Sequence, residues 1–326
     1  MTRGLVIGKF LPIHRGHIAM IEFALQHCDE LIVSMSYTNA DAIDAQLRFN
    51  WIKEIFKDQP RVLPRIIADD FDDEQLPLQE RTRKWAEVLK NVYPKIDVIV
   101  SSEEYGNPLA EHMKAKHISF DPDRKKFPVS ASLIRQQPFK FWEYIPDQLK
   151  SYFVKKICFY GPESTGKSTM AKAMAEKYKT EYVPEVAREL IQSNEFSLED
   201  IIRIGYAQTE CVKEKSKTAN KILFCDTDLI TTQIYSQHYL SQTPPVLFQL
   251  EKEITYDKYF LFDIDVEWVA DGLRDLGNQR QQMLDTFRNE LEKRNIPYTW
   301  VRGNYQQRAQ IIQREIDLLL NPSVNK

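Results

Sequence analysis

Two short segments carry residue types at spacings suited to phosphate chemistry. The first is Gly8-Lys9-Phe10-Leu11-Pro12-Ile13-His14-Arg15-Gly16-His17, where two of the chain's six histidines stand three residues apart at a strand-to-helix junction. Imidazoles so placed can both point into one pocket. Their ring N–H groups can donate to ATP phosphate oxygens and to charge that grows at the α-phosphorus during in-line attack. Lys9 adds positive charge, and Gly8, Phe10 and Gly16 shape the backbone that closes on the nucleotide. The second segment, Gly161-Pro162-Glu163-Ser164-Thr165-Gly166-Lys167-Ser168, fits G-x-x-x-x-G-K-[ST] between an apolar run and a helix rich in Ala, Met and Lys. Its glycines let successive backbone N–H groups face phosphate oxygens, with Thr169 next in line. Lys167 would reach the β/γ-phosphates, and the Ser168 hydroxyl would ligate Mg²⁺.

Further residues collect around this second loop. Asp226, closing the strand-like run Lys221 to Cys225, is the expected partner of Ser168 on the metal. Glu185 and Arg188 follow strand-like Glu181 to Val183, where a carboxylate could take the proton of an incoming hydroxyl; Asp228 competes for that role. Arg274 and Arg280 fall in a Gly-containing stretch from Asp271 that reads as a lid able to bring guanidinium groups to a transferring phosphoryl. The nearest thing to a guanine-reading Asn-Lys-x-Asp is Asn220-Lys221-Ile222-Leu223, which lacks the acid, so a kinase is expected over a GTPase.

The elements that must position these segments follow a repeated rhythm. Strand-like runs at Gly4 to Ile7, Leu31 to Met35, Val62 to Ala68, Ile96 to Ser101 and His117 to Phe120 alternate with amphipathic stretches, which predicts a parallel α/β sheet. A second series, Lys156 to Tyr160, Lys221 to Cys225, Lys258 to Phe262 and Tyr298 to Val301, repeats it. The fold class is therefore α/β with two parallel-sheet domains, residues 1–152 and 153–326, joined by a packed connector, Gln137 to Tyr152. Apolar residues at Ala309, Ile312, Ile316 and Leu319 predict a closing surface helix. The acidic run Asp69, Asp70, Asp72, Asp73 and Glu74 reads as a solvated loop with no metal role.

Composition narrows the partners. A chain of 326 residues is long enough for two cores, and a net charge of -3 without any dense basic block argues against nucleic acid. Four scattered cysteines, Cys28, Cys158, Cys211 and Cys225, read as free thiols of a reducing compartment. No run approaches the ~18 apolar residues of a membrane span, and no secretory leader is seen, so a cytoplasmic location is expected.

His14-Arg15-Gly16-His17 resembles the HxGH signature of the nucleotidyltransferase superfamily, and Val129-Ser130-Ala131-Ser132-Leu133-Ile134-Arg135 resembles its second signature, ISSTxxR. The resemblance implies that Ser130, Ser132 and Arg135 hold the triphosphate; Ala131 stands where a serine is usual. The order of the two segments is similar to bifunctional nicotinamide-nucleotide adenylyltransferase and ribosylnicotinamide kinases of the NadR type, over nearly the whole chain. Ser102 to Gly106, Asp121 to Arg124, Asp226 to Asp228 and Asp271 to Arg274 add to that likeness. It implies a Rossmann-like nucleotidyltransferase followed by a P-loop kinase, with nicotinamide riboside, its mononucleotide, ATP and product NAD as small-molecule partners. Trp85 would stack on nicotinamide, with Tyr105, Arg124 and Arg188 as further substrate contacts. Relatives that regulate transcription carry a helix-turn-helix domain ahead of the HxGH strand, which here starts at residue 4. Another acceptor such as pantetheine phosphate, or a non-catalytic nucleotide sensor, stays open, as does a homo-oligomer.

Overall fold

Strands buried on both faces need helices on both sides, and two such sheets form. The computed structural model describes residues 1–73, 75–191, 195–269 and 276–321. The chain divides into two units, Met1–Leu149 and Lys150–Lys326.

In the first unit the strands are β1 (Arg3–Gly8), β2 (Glu30–Tyr37), β3 (Val62–Ala68), β4 (Val98–Ser101) and β5 (Lys116–Ser119). They pair in the order β3-β2-β1-β4-β5, all parallel. Between them run α1 (Arg15–Ala24), α2 (Ala45–Ile55), α3 (Leu78–Val92) and α4 (Gly106–Met113), followed by α5 (Ala131–Gln136). Leu5 of β1 lies level with Ile32 of β2 and Ile99 of β4, and these three pack with Ala86 and Leu89 of α3 and Leu109 of α4. Each of the leucine and isoleucine side chains contributes about 1.5–3 kcal/mol by leaving water. The chain winds β1-β2-β3 to one side and then crosses to β4. A crevice therefore opens where β1 and β4 end, the switch point at which open α/β sheets take ligands.

The second unit is also a five-stranded parallel sheet, with a different strand order, β10-β9-β6-β8-β7. Its strands are β6 (Lys155–Tyr160), β7 (Tyr182–Val183), β8 (Ile222–Asp226), β9 (Lys258–Phe262) and β10 (Tyr298–Val301). The helices are α6 (Asp147–Phe153), α7 (Lys167–Tyr178), α8 (Ala187–Leu190), α9 (Leu198–Thr218), α10 (Leu229–Leu240), α11 (Pro245–Glu251), α12 (Arg280–Lys293) and α13 (Tyr305–Leu320). Phe159 on central β6 has the rings of Phe224 and Phe262 at 5.7 and 5.1 Å, and Met170, Ala171 and Met174 of α7 cover them. The expected closing stripe is α13: Ile312 and Ile316 are fully buried in this cluster with Ala309 and Leu319 against it.

The connector contains α6, which begins before the division between the units, and its Trp142, Ile145 and Leu149 are buried. No helix among the described residues is long and apolar enough to cross a membrane. All four cysteines are free.

Candidate active sites

After β1 the chain leaves Gly8, turns through Phe10 at a φ of 42°, and starts α1 behind His14. Phe10 is buried and sets its ring edge-on to His17 at 5.0 Å. The two imidazoles stack, 3.7 Å apart at 25°. The His14 backbone N–H donates to His17 Nδ1 at 3.3 Å. That bond makes Nδ1 an acceptor, so neutral His17 carries its proton on Nε2. Gly16 has a tighter reason to be glycine than approach to a ligand, because a Cβ there would meet the His14 ring at 3.1 Å and Phe127 Cβ at 3.2 Å.

Burial first, and Arg124 second, lower His14 to a pKa of about 3. Burial, His14 and Arg124 push His17 the same way. Both rings are thus neutral donors at pH 7, and His14 Nδ1 is buried without a hydrogen-bond partner among the described residues. The folded-state pKa of His14 lies below the unfolded value near 6.5, so between pH 6.5 and 3 the unfolded chain binds more protons. Stability is complete above pH 6.5 and falls on acidification, by up to about 1.4 kcal/mol per pH unit from His14. Thermal unfolding of the chain at pH 7 and pH 5 should show this slope, and His14→Asn should flatten it. An unchanged slope in the variant would remove His14 as its source.

The wall opposite comes from α5. Ser130 caps that helix, its Oγ accepting the Leu133 N–H at 3.2 Å, which leaves its O–H free to donate elsewhere. Arg135 donates to Leu11 O and to Ser132 Oγ, the latter at 3.2 Å. Lys9, His14, His17, Ser130, Ser132 and Arg135 line one cleft of about 440 Å³, with Gly8, Phe10 and Gly16 in its floor. Arg124 reaches its rim, held by Glu103 at 2.6 Å, and Tyr105 donates to Ile7 O at 3.0 Å.

Next to it lies a smaller cavity of about 210 Å³ lined by Lys9, Asp69, Asp72, Trp85 and Tyr105. Here the acidic run departs from the solvated loop expected of it. Asp72 accepts from Arg81 at 3.0 and 2.8 Å and from the Trp85 indole N–H at 2.9 Å. The Arg81 guanidinium sits 5.3 Å over the Trp85 ring, so the indole is held by a charge pair and not by apolar packing alone. Asp69 has one buried oxygen without a hydrogen-bond partner among the described residues, and burial with Asp72 raises its pKa. Glu74 lies outside the described residues.

Arg48 was not anticipated. It is fully buried, donating to Ile43 O at 3.1 Å, to Lys9 O, and to Asp41, which also takes the Thr38 N–H at 3.1 Å. The only trace in the sequence is its place on the buried face of α2 beside Trp51 and Ile52. Arg48→Ala would take away the cation paired with the Asp41 carboxylate and leave two carbonyls without this donor. A loss of about 3–5 kcal/mol in unfolding free energy is expected, with Arg48→Lys intermediate. Wild-type stability in the alanine variant would disprove this anchoring of the Lys9 turn.

In the second unit the loop after β6 needs both glycines. Gly161 has a φ of 135°, and a Cβ would meet Phe262 O at 2.9 Å; Gly166 has a φ of 84°. The loop is braced from within by Thr165 Oγ1 to Pro162 O at 2.9 Å. It is braced from α13 by Arg308, buried and donating to Thr165 O at 2.6 Å. Sequence patterning did not point to Arg308. Glu163 accepts the Leu276 N–H at 3.0 Å and Ser164 Oγ the Val269 N–H at 2.8 Å, while Ser168 and Thr169 stand exposed at the start of α7.

The Lys167 ammonium donates to Pro162 O at 2.7 Å, its pKa lowered by burial and opposed by Asp226 and Glu185. Asp226 is buried, and burial with Glu185 raises its pKa to about 6, with Lys167 and the nearby Ser168 hydroxyl opposing the rise. Its Oδ1 has no hydrogen-bond partner among the described residues. An orphaned carboxylate oxygen beside a hydroxyl is a hard donor set of the kind Mg²⁺ takes. Among the described residues no group of three or more His, Cys, Asp or Glu is placed to hold a metal ion by itself.

Glu185 accepts from Arg188 at 2.8 Å, and both line a cavity of about 100 Å³ with Glu163, Gln208 and Tyr235. Asp228, expected to compete for the base role, does not line this cavity. It caps α10 through the Thr231 N–H at 2.9 Å and takes the Tyr259 hydroxyl at 2.9 Å, which commits both oxygens to the interior. Arg280 starts α12, donating to Val266 O at 2.9 Å and lying 5.5 Å over the Trp268 ring. Arg274 and Asp271 lie outside the described residues.

Residues 5–137 match the cytidylyltransferase-like family and residues 156–308 an AAA domain. The chain is 32% identical over 328 residues to the trifunctional NAD biosynthesis/regulator protein NadR of Escherichia coli (strain K12), covering 92% of this chain and 78% of that protein. It is 23% identical to a nicotinamide-nucleotide adenylyltransferase of Thermococcus kodakarensis, over 48% of this chain and 84% of that one. A crystal structure of a NadR protein in complex with NR superposes over 100% of this chain and 96% of its own, with a TM-score of 0.79 at 20% identity, so the fold is shared. At 32% identity over 92% of its length, with both phosphate loops present, the chain belongs to the NadR family.

Proposed function

We propose that the chain makes NAD in two ATP-dependent steps, phosphorylating nicotinamide riboside and then adenylylating the resulting mononucleotide. The observation that carries this reading is one chain of the NadR family holding two distinct phosphate cradles, one on each sheet.

In the kinase step the riboside 5′-oxygen bonds to the γ-phosphorus as the bond to the β-phosphate oxygen breaks and ADP departs. Glu185 takes the hydroxyl proton, with Arg188 holding the carboxylate in place. Backbone N–H groups of the loop from Gly161 to Thr169, Pro162 excepted, enclose the phosphates, Lys167 turns from Pro162 O to the β/γ oxygens, and Arg280 at the start of α12 adds positive charge. Ser168 and Asp226 would hold Mg²⁺, which would neutralise phosphate charge when bound.

In the adenylyl step a phosphate oxygen of the mononucleotide bonds to the α-phosphorus as pyrophosphate leaves. His17 Nε2–H, His14, Lys9 and Arg135 donate to the charge that builds there, and Ser130 and Ser132 hold the departing oxygens. Trp85, fixed by Asp72 and Arg81, offers a face to the pyridinium, with Tyr105 and Arg124 beside it. Residues 1–152 carry this second step and 153–326 the first. Free thiols suit action in the cytoplasm.

The test supplies purified chain with MgATP and each acceptor separately. Nicotinamide riboside should yield ADP and mononucleotide, and the mononucleotide should yield pyrophosphate and NAD. Release of pyrophosphate with pantetheine phosphate but not with nicotinamide mononucleotide would overturn the acceptor assignment, and absence of turnover with both would favour a sensor.

A further inference from the structure

One buried polar group in the second unit's acceptor cavity has no part in phosphoryl transfer. Gln208 lies on α9, 3% exposed, and its Oε1 accepts the Val186 N–H at 3.1 Å. A backbone N–H can face only the oxygen of an amide, so the orientation of this side chain is set. Its Nε2 is then a buried donor with no hydrogen-bond partner among the described residues. Donors are rarely left so inside a protein, and each calls for an acceptor.

The surroundings say what kind of acceptor. Phe196, Tyr235 and Tyr239 bring rings to the cavity, and Glu163 and Glu185 bring carboxylates, a combination suited to a flat cationic heterocycle. Because Gln208 has committed its oxygen to Val186, the side chain is donor-only on its open side. The complement of a donor-only group is an acceptor-only group such as a carbonyl, since a ribose hydroxyl would bring its own proton in need of a partner. Gln208 also borders a void of about 20 Å³ beside Asp228, large enough for one water, and that water is the rival occupant.

We propose that Gln208 Nε2 donates to the carboxamide oxygen of the nucleoside and so selects ring-carbonyl ribosides as phosphoryl acceptors. This rests on the ribosylnicotinamide kinase reading of the same site. A site built around such a bond discriminates against an acceptor that lacks it by about ten- to a hundred-fold, because the buried donor is then left unpaired.

The experiment compares kcat/KM for nicotinamide riboside and for the pyridinium riboside without its carboxamide. Wild type should prefer the first by about ten- to a hundred-fold. Gln208→Glu keeps an acceptor for the Val186 N–H while removing the amide donor, and its preference should fall to about one. Gln208→Leu should do the same if the glutamate variant turns over too slowly to measure. A thermal unfolding transition matching that of wild type reports that each variant is folded. If both ribosides slow by one common factor and the ratio holds, Gln208 serves the water, the ribose or Val186 alone and the proposal is overturned. Failure of the kinase reading would show differently, as wild-type enzyme that phosphorylates neither riboside.

Discussion

Lys167→Ala should lower riboside phosphorylation by a factor on the order of 10³ while conversion of the mononucleotide to NAD continues at the wild-type rate. The ammonium is buried between the loop carbonyl of Pro162 and the carboxylates of Asp226 and Glu185. Its removal leaves those two acids facing each other across a triphosphate with one counter-charge fewer. Adenylyl transfer uses a different sheet and a different cleft, so it supplies the internal control. Coupled assays for ADP and for pyrophosphate separate the two. Equal loss of both activities would contradict independent sites, and loss of neither would deny the loop its catalytic role.

The reciprocal result is expected at the other sheet. His17→Ala should cut adenylyl transfer by about 10²–10³, with kinase activity preserved. Side-chain geometry allows a finer reading. The Nδ1 position accepts the His14 N–H, whereas Nε2 carries the proton assigned to the developing charge. Asparagine reproduces the near nitrogen position and glutamine the far one. His17→Asn should therefore be as slow as alanine, and His17→Gln should recover part of the rate. If asparagine recovers more than glutamine, the imidazole acts by holding the turn and not by donating from Nε2.

These two outcomes concern residues that were plain in the chain before folding. The turn from Gly8 to His17 and the loop from Gly161 to Ser168 are contiguous, and their chemistry depends on local backbone shape. Gly161 and Gly166 announce positive φ, and a strand on one side with a helix on the other places the loop at a sheet edge. Strand runs were legible for the same reason, because a sheet covered on both faces demands unbroken apolar segments. Even Asp226 followed from this logic, being the residue that ends the strand beside β6.

Other assignments needed the tertiary structure. Asp226 and Asp228 are two residues apart and of one type, yet one keeps an orphaned oxygen beside Ser168 and the other is sealed by Thr231 and Tyr259. Asp72 looked like one more solvated acid until Arg81 and Trp85, nine and thirteen residues on, were seen to close on it.

What the chain determined by itself was the pair of phosphate loops, the parallel α/β architecture and the family, since each is written in neighbouring residues or in periodic burial. Which carboxylates are sealed in the interior, which arginines (Arg48 and Arg308) brace the loops, and which buried amide keeps an unpartnered donor were decided only by folding. The hydrogen bond from Arg308 to Thr165, 143 positions away, leaves no local pattern to read, because charge, burial and partner are brought together by the tertiary fold and not by sequence spacing.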